Sequence, residues 1–580
     1  MTNNLINYIP MLKAYEKLIY LAIKEKIYSS QGLKKLKRRV AKKFHISLPR
    51  NEDLRKSYFS LLGKGEVREN KEIEELLKLK KTRTLSGVSV IAVLTKDYPC
   101  KGNCLYCPSE KEMPKSYLSN EPAVMRAVRL DFSPYRQVQE RIRVLEYNGH
   151  DTSKLELIVM GGTFSHLPEK YRYWFITNCY RAANAYCKDI GYENDFKMTE
   201  KQKITKRQEA LERQRVAEKQ IALAALTLTE IRQLLEKEKL KNAKAKHRVV
   251  GLTLETRPDE INLTELKKYR EMGCTRVEIG VQSIYNKILL KNKRGHGVEE
   301  TIEATKLLKE MGFKINYHLM PGLWGSNFQK DLAMFKKIFA DPSFCPDMLK
   351  IYPCVVTRES ELYYLWKRGD YKPYSNEEIK KLIIEIKKII PPYVRITRLI
   401  RDIPTTSIVA GPNVPNLRGI LQEEGVVCSC IRCREIGRAP KKARQSLKKV
   451  VRERIDYPAS GGQEIFLQYI SGKKKYLHAF LRLRIPASVF GKSLAPVKEL
   501  ANCGIIREVH AYGEVAPVGI KITQTSQHKG YGKKLIKKAE RIVYQEFKLP
   551  KLAVIASEGT KEYYRKLGFR KQGFYLIKKL

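Results

Sequence analysis

Acidic residues are scarce in this sequence relative to basic ones. Its 580 residues include 112 Lys and Arg against 62 Asp and Glu, which gives a formal net charge of +50 and an isoelectric point near 9.8. A compact chain with this excess repels itself, so the composition favours a polyanionic partner.

Long apolar runs are also missing. No run of about eighteen apolar residues occurs, so the sequence predicts no transmembrane helix and no membrane partner. Residues 1–28 lack the apolar core and cleavage site of a signal peptide. Because apolar residues make up 43% and charged residues 30%, we expect a soluble, cytoplasmic, globular protein. At about 150 residues a domain, this length predicts three or four domains.

Cysteine is too infrequent for a disulfide scaffold, with 12 in the whole chain. Half of the cysteines are scattered and are interpreted as core residues. The others form two clusters, which in a reducing compartment bind metal more often than they cross-link: Cys100, Cys104 and Cys107, and then Cys428, Cys430 and Cys433.

The N-terminal region is strongly basic. Its first 50 residues hold 12 Lys and Arg against 2 Asp and Glu, and residues 34–43 (KKLKRRVAKK) lie within a helical pattern. We interpret residues 1–80 as a helical region that binds nucleic acid; the alternative is a solvated helix face.

Residues 81–400 alternate strand and helix patterns. Six β-branched runs predict a parallel sheet curved into a partial (β/α)6 barrel: residues 88–95, 155–162, 249–258, 275–283, 313–322 and 348–353. Polar residues and glycines follow the strand ends, where barrel active sites lie. Residues 201–248 form a polar helical insertion without recognisable chemistry, expected to lie outside the domain or to be partly mobile.

Two further regions complete the α/β organisation. Residues 401–460 are predicted to be a basic linker carrying the second cysteine cluster, and nine Lys or Arg fall within 434–454. Residues 461–580 are predicted to be a separate α/β domain.

Cys100, Cys104 and Cys107 have the spacing CxxxCxxC directly after the first predicted strand. Three thiolates can hold three irons of a 4Fe–4S cluster and leave the fourth iron open to a small molecule. This pattern resembles that of radical S-adenosylmethionine enzymes; the alternative is a zinc knuckle with a distant fourth ligand.

Gly161 and Gly162 close the second strand, where glycines let a ligand approach the backbone. In radical enzymes of this kind such a pair contacts the methionine moiety. Later strand ends offer further cavity residues, whose alternative role is ion pairing in a barrel interior: Glu255, Arg257, Glu278, Gln282, His318 and Lys350.

Gln527, Gly530 and Gly532 belong to a loop, QHKGYG, that precedes a predicted helix at 533–547. Backbone N–H groups at a helix N-terminus bind pyrophosphate. The loop, the helix, the strand KLAVIAS and Tyr563-Tyr564 follow the order of GNAT acetyltransferases, which bind acetyl-CoA in this way.

Cys428, Cys430 and Cys433 supply three soft ligands within six residues. They predict a structural zinc site that braces the junction between the two large domains, with an unidentified fourth ligand. A catalytic zinc is the alternative.

Together these segments resemble the catalytic subunit of Elongator, a family that combines a radical-SAM barrel with a GNAT domain. The phrases that carry the resemblance include RTLSGVSVIAVLTKDYPC (83–100), EPAVMRA (121–127), GLTLETRPD (251–259), RGH (294–296) and SQHKGYGKKL (526–535). Many members write CPHG before the second cysteine and CPGG from the third. Here the loop reads CKGNC and then CPSE, which changes its shape.

The resemblance implies formation of 5-carboxymethyluridine at the wobble uridine of tRNA. S-adenosylmethionine cleaved at the 4Fe–4S cluster would yield a radical that takes a hydrogen from the methyl of acetyl-CoA. The acetyl carbon would then add to C5 of uridine, and hydrolysis would release CoA. The anticodon stem-loop would lie on the basic surfaces.

The resemblance also assigns residues. Acetyl-CoA would lie along Glu508, Val509, His510 and Ala511, over Tyr531, Gly532 and Lys533, and beside Tyr564. Lys154 corresponds to a lysine that links the thioester to the barrel cleft. Tyr563 and Tyr564 are candidate proton donors to the CoA thiolate.

Two other functions remain open at this stage. One is a protein lysine acetyltransferase with a structural cluster, and the other is a non-catalytic tRNA-binding module that senses acetyl-CoA. The sequence does not specify which tRNAs are modified, and it is compatible with a homodimer. Other Elongator subunits are expected as partners only if the host has them.

Overall fold

The computed structural model describes residues 3–79, 83–185, 212, 221–439, 449–473, 475–512 and 530–580, with backbone alone for 3–11. The predicted ligand-loop residue Gln527, the basic residues 440–448 and most of the insertion 201–220 lie outside the described residues. No helix of the described part is long and apolar enough to cross a membrane.

The basic N-terminal region is a helical bundle with its own core. Its helices are α1 (Asn3–Lys24), α2 (Ser30–Lys43), α3 (Asn51–Gly63) and α4 (Lys71–Leu77). Helix α2 buries Leu33, Leu36 and Val40 and leaves most of its Lys and Arg exposed. Arg55 fastens the bundle to the next domain, since its Nε donates to the Tyr147 carbonyl at 2.7 Å.

A seven-stranded parallel sheet follows, with its strands in chain order. The strands are β1 (Ser89–Leu94), β2 (Lys154–Met160), β3 (Arg248–Thr256), β4 (Arg276–Gln282), β5 (Lys314–Leu319), β6 (Met348–Ile351) and β7 (Arg395–Arg398). The six predicted strands are confirmed, and β7 extends the sheet by one short strand. Because β1 and β7 each pair with a single neighbour among the described strands, they are the two edges of the sheet.

Ten α-helices of the described part accompany this partial barrel. They are α5 (Pro122–Arg129), α6 (Pro134–Tyr147), α7 (Glu169–Asn184), α8 (Leu228–Asn242), α9 (Leu263–Glu271), α10 (Asn286–Lys291), α11 (Val298–Glu310), α12 (Phe328–Ala340), α13 (Leu362–Lys367) and α14 (Asn376–Ile389). All but α5, α10 and α13 bury side chains in its main core. Helix α8 was predicted as part of an outer insertion. It buries Ile231 and Leu235 in the main core, so this end of the segment belongs to the domain.

Strand β2 shows how the two faces of the sheet differ, one carrying apolar side chains and the other polar ones. Leu155, Leu157 and Val159 are buried under the helices, whereas Lys154 and Glu156 lie on the other face. Successive side chains of a strand point to opposite faces. The concave interior of the barrel is therefore where the polar side chains gather.

The C-terminal domain is a second sheet of seven strands, in the order β13-β14-β12-β11-β10-β9-β8. Its elements are β8 (Val450–Ala459), β9 (Gly462–Ser471), β10 (Tyr476–Ile485), β11 (Cys503–Ala511), α17 (Tyr531–Arg541), β12 (Lys551–Val554), α18 (Lys561–Arg565), β13 (Arg570–Gln572) and β14 (Tyr575–Lys579). Strand β8 pairs with β9 along its whole length. The sheet thus begins at Val450, before the predicted boundary at 461.

The two large domains meet through buried ion pairs. Arg507 Nη1 lies 2.9 Å from Asp347 Oδ1 and 2.8 Å from Glu464 Oε2, and all three side chains are at most 2% exposed. Arg484 Nε lies 3.0 Å from Glu310 Oε1. Asp347 directly precedes β6 and Glu310 precedes β5, so the C-terminal domain covers the end of the barrel where strands begin.

The linker between the two sheets contains α15 (Leu417–Glu423) and α16 (Ile431–Arg434). Ile431 N donates to the Val394 carbonyl at 2.9 Å, next to β7 of the barrel. Arg434 Nη1 donates to Gln468 Oε1 at 3.0 Å, on β9 of the C-terminal sheet. The linker therefore bridges the two domains.

Candidate functional site

Cys100, Cys104 and Cys107 lie in the loop after β1, at the end of the barrel opposite the C-terminal domain. Cys104 is buried, and Cys100 and Cys107 are partly exposed. Among the described residues, the three sulfurs do not form a group with ligand atoms within 4.8 Å of one another. One zinc ion would hold its sulfurs about 3.8 Å apart, so this wider spacing suits a multi-iron cluster better than a zinc knuckle.

Cations surround all three thiols. Arg294 Nη1 lies 3.4 Å from Cys104 Sγ. A hydrogen bond with His166, helped by the nearby charge of Arg257, lowers the pKa of Cys100 to about 7. Burial and the Cys104 thiol raise the pKa of Cys107 to about 11, although Lys115 and Arg401 act in the opposite sense.

A buried hydrogen-bond donor without a partner also lies beside the cysteine loop. Arg257 binds Asp259 through Nε (2.9 Å) and Nη2 (2.8 Å), whereas its Nη1 is buried with no hydrogen-bond partner. That atom lies 2.6 Å from where a Cβ on Gly102 would be, inside the cysteine loop. A cationic pocket with a free donor fits an anionic iron–sulfur cluster held by thiolates. Sequence reasoning assigned no role to Arg294, although it begins the RGH phrase.

Gly161 and Gly162 lie at the end of β2, beside this loop. Gly161 has φ +129°, and a Cβ there would lie 2.0 Å from Thr95 Oγ1. Gly162 has φ +92°. Only glycine fits the first position without displacing Thr95, so the pair brings bare backbone to the cavity edge, and its contact with a ligand stays a prediction.

A row of polar side chains runs along the barrel interior, and we call it the interior row: Glu156, Arg276, Glu278, His318 and Glu255. Arg276 Nη1 lies 2.5 Å from Glu156 Oε1, and its Nη2 lies 3.7 Å from Glu278 Oε1. His318 joins the two glutamates, 2.9 Å from Glu278 Oε2 and 3.3 Å from Glu255 Oε1.

Lys350 neutralises the centre of this row by pairing with Glu278. Burial alone would lower the pKa of Lys350, but the carboxylates of Glu278 and Glu255 outweigh it and raise the pKa. Burial alone would raise the pKa of Glu255, but His318 and Lys350 outweigh it and lower the pKa. Both carboxylates are therefore ionised acceptors at neutral pH.

Glu255 and Gln282 face the cysteine-loop end of the row. The Tyr117 hydroxyl, from that loop, donates to Glu255 Oε2 at 3.4 Å. Gln282 has φ +65°, and its Oε1 is buried with no partner. A strained backbone and a free acceptor at the predicted position suit a bound polar ligand.

Lys154 lies at the other end of the barrel, as the first residue of β2 and on the same face as Glu156. Burial lowers the pKa of Lys154, with Asp151 acting in the opposite sense. The structure thus separates Lys154 from the cysteines by the length of the strands.

The predicted acetyl-CoA strand, β11, lies against this same barrel end. Arg482 Nε donates to Glu508 Oε2 at 2.9 Å, and His510 Nε2 lies 2.7 Å from the Ser86 carbonyl just before β1. Strand β11 pairs with β12 only over Cys503–Ile506. Val509, His510 and Ala511 therefore lie beyond that pairing, on a strand edge that no strand of the described residues covers.

Helix α17 begins at Tyr531, after Gly530 in a left-handed conformation with φ +70°. Its first turn, with Gly532 and Lys533, has no acidic residue. The Tyr563 hydroxyl lies 3.0 Å from where a Cβ on Gly532 would be. A helix N-terminus free of acid suits an anionic ligand.

Tyr563 and Tyr564 stand together, with ring centroids 5.2 Å apart. Burial raises the pKa of Tyr563 to about 12. Burial also raises the pKa of Tyr564, and Tyr563 and Glu508 add to it. Both hydroxyls therefore stay protonated at neutral pH and can donate a hydrogen bond or a proton.

Cys428, Cys430 and Cys433 are the group of the described residues whose ligand atoms all lie within 4.8 Å of one another. Three thiols this close can bind a metal ion, and a single zinc fits their type and spacing. No fourth Cys, His, Asp or Glu of the described part joins them. The cluster lies in the linker, where α16 meets both sheets.

Comparison with known proteins agrees with this arrangement. Residues 99–335 match the Radical SAM superfamily and residues 346–424 the Radical_SAM C-terminal domain. The chain is 42% identical over 525 residues to a tRNA uridine(34) acetyltransferase of Methanocaldococcus jannaschii, covering 88% of each chain. It is 36% identical to Elongator complex protein 3 of Homo sapiens, covering 87% of this chain and 86% of that one.

A solved structure has the same fold. Archaeal Methanocaldococcus infernus Elp3 with an N-terminal deletion (1–46) is 39% identical, with a TM-score of 0.66, and the match covers 85% of this chain and all of that one. The Radical SAM domain of the present chain implies S-adenosylmethionine and a 4Fe–4S cluster. The chain belongs to the family of radical-SAM proteins that includes tRNA uridine(34) acetyltransferases and Elongator complex protein 3.

Proposed function

We propose that this chain acts in the cytoplasm on the wobble uridine of tRNA and forms 5-carboxymethyluridine from S-adenosylmethionine and acetyl-CoA. The observation that carries the proposal is the position of the two candidate cofactor sites at opposite ends of one barrel interior, joined by the interior row. The names of its relatives support a tRNA uridine substrate and acyl chemistry.

Cys100, Cys104 and Cys107 would hold the iron–sulfur cluster, with Arg257 and Arg294 offsetting its charge. When bound, the cluster and S-adenosylmethionine would supply the one-electron chemistry that an acetyl methyl and C5 of uridine require. Gly161, Gly162, Glu255 and Gln282 would orient S-adenosylmethionine. The ionised Glu255, held by His318 and Tyr117, is suited to accept hydrogen bonds from its amino or hydroxyl groups.

Acetyl-CoA would bind along Glu508–Ala511 with its phosphates at the α17 N-terminus. The thioester would then reach the barrel floor near Lys154, since β11 contacts the segment just before β1. Tyr563 or Tyr564 would donate the proton that the CoA thiolate takes up on hydrolysis. Zinc at Cys428, Cys430 and Cys433 would hold the linker between the two domains.

The test uses protein with its cluster reconstituted under anaerobic conditions. It is incubated with tRNA, acetyl-CoA, S-adenosylmethionine and a reductant, and nucleosides and 5′-deoxyadenosine are read by mass spectrometry. We expect carboxymethyluridine and 5′-deoxyadenosine with the native chain and neither with Cys104→Ser. Cys503→Ser is the matched control, since its thiol already donates to the Glu499 carbonyl at 3.3 Å and a hydroxyl can replace it.

The outcomes separate this function from the alternatives. Acetylated protein lysines without any requirement for S-adenosylmethionine would indicate a lysine acetyltransferase. Binding of tRNA and acetyl-CoA with no modified base and no acetyl transfer would indicate a sensing module. Either result would refute the proposal.

A further inference from the structure

Four arginines gather at the β1 edge of the barrel. We call them the edge arginines: Arg83, Arg126, Arg129 and Arg141. Arg126 and Arg129 lie one turn apart on α5, Arg141 is on α6, and Arg83 precedes β1. Arg126 belongs to the EPAVMRA phrase, to which the proposed chemistry gives no role.

The fold directs these side chains to one place. Gln137 of α6 binds both backbone groups of Leu94 on the free edge of β1, each at 2.9 Å. Arg141 is one turn further along the same face of α6, and so lies beside the preceding part of β1. There Arg126 Nη2 donates to the Ala92 carbonyl at 2.7 Å.

Carboxylates of the described residues do not neutralise the edge arginines. Arg141 makes no hydrogen bond or ion pair within the described part of the chain, and the Nε of Arg126 is buried without a partner. The nearest acid, Glu140, is held by Arg143 through two contacts of 2.9 and 2.8 Å. Asp131 is paired with Arg136 at 3.0 Å.

The electrostatics agree with this geometry. Burial, followed by the charges of Arg141, Arg129 and Arg83, lowers the pKa of Arg126 to about 10. Burial and then Arg83 also lower the pKa of Arg141. Glu140 acts in the opposite sense on the pKa of both arginines, but Arg143 already holds it. The like charges therefore still repel one another, and a bound anion would offset that repulsion.

We propose that the edge arginines bind a phosphate group. Guanidinium forks match phosphate oxygens bidentately, and Arg141 together with the free Nε of Arg126 offers unused donors for them. The proposal rests on the proposed function, which supplies two phosphate sources. One is the backbone of the tRNA substrate. The other is acetyl-CoA, because Ser86, three residues after Arg83, contacts His510 of the acetyl-CoA strand.

The experiment compares the double variant Arg129→Gln/Arg141→Gln with the native full-length chain. Neither side chain has a partner to lose in the described structure. The matched control, Arg136→Gln/Arg368→Gln, removes the same charge from arginines already paired with Asp131 and Asp370, each at 3.0 Å. Dissociation constants for tRNA over a series of salt concentrations, and for acetyl-CoA and pyrophosphate at one salt concentration, are measured for all three proteins.

If the phosphate is that of RNA, the variant binds tRNA about tenfold more weakly and its log Kd–log salt slope falls by about 1.5, since each lost contact removes about 0.7–0.9. Its acetyl-CoA affinity stays that of the native chain. If the phosphate is that of CoA, the acetyl-CoA affinity falls instead and the tRNA slope is unchanged.

Unchanged binding of both ligands, or a loss of equal size in the control, would overturn the proposal. A native chain that does not bind tRNA at all would instead refute the proposed substrate. Pyrophosphate then tests the site by itself: the proposal expects binding that the double variant loses and the control keeps, and equal binding by all three proteins would overturn it.

Discussion

The charge at the centre of the interior row can be removed in a controlled way. Glu278 is 1% exposed and accepts from Lys350, from His318 at 2.9 Å and from Asn316 Nδ2 at 3.1 Å. Glu278→Gln keeps the shape but leaves the Lys350 ammonium buried without its main counter-charge. Removing one partner of a buried ion pair costs about 3–5 kcal/mol.

Adding Lys350→Met removes the uncompensated ammonium and retains most of the side-chain volume. We expect the double variant to recover to within about 1 kcal/mol of the native barrel, since it leaves no uncompensated buried charge at either position and the Gln amide can still accept from Asn316. A coupling energy of at least about 2 kcal/mol between the two sites would follow, and it would be larger if Lys350→Met alone is destabilising.

Hydrogen exchange of the β4, β5 and β6 amides in the full-length chain measures the free energy of opening the barrel strands separately from that of the other domains. For Glu278→Gln, 3–5 kcal/mol corresponds to a loss of protection of roughly a hundredfold to several thousandfold, because each tenfold change is about 1.4 kcal/mol. A loss below tenfold, or a double variant no more protected than Glu278→Gln, would refute the reasoning. His318 would keep Glu255 but lose the Glu278 carboxylate, so the double variant should remain defective in binding S-adenosylmethionine.

Three further predictions concern the glycine pair, the domain interface and the linker cysteines. Gly161→Ala should weaken S-adenosylmethionine binding at least tenfold by calorimetry, because the new Cβ would lie 2.0 Å from Thr95 Oγ1 on a backbone that disfavours side chains. Arg507 and Arg482 lower the pKa of Asp347 despite its burial. The stability that ionised Asp347 contributes is therefore fully present above its pKa in the unfolded chain, about 3.9, and is lost as the pH falls through its lower pKa in the folded protein. Limited proteolysis should thus separate the native domains only in strong acid, whereas Asp347→Asn, at a cost of about 3–5 kcal/mol, should separate them at neutral pH. Cys430→Ser should remove about one equivalent of zinc by elemental analysis and leave the iron content unchanged.

Each of these predictions has a control or a contradicting result. Gly369→Ala has an open Cβ direction and a positive φ, and it should leave S-adenosylmethionine binding unchanged. Equal proteolysis of native and Asp347→Asn chains at neutral pH would contradict the role given to the buried pairs. Loss of iron together with zinc in Cys430→Ser would show that the two cysteine clusters are not independent.

Contiguous segments of the sequence predicted the fold class, since periodicity and short motifs depend on neighbouring residues. The strand runs after residue 88, the CxxxCxxC loop, the linker cysteines and the helix after Gly530 could all be read locally. The seventh barrel strand was missed because RITR is short and has no strong apolar pattern. The start of the C-terminal sheet was misplaced because charged residues fill much of β8, an edge strand.

Only the tertiary structure decided which distant charges meet. Arg294 lies against Cys104 although 190 residues separate them, and 160 residues separate Arg507 from Asp347. Such pairs depend on the barrel closing and on the C-terminal domain covering the strand starts, which no local pattern encodes. The sequence by itself therefore determined the chemical groups of the site. Long-range packing determined their order along the barrel, from Lys154 at one end to the three cysteines at the other.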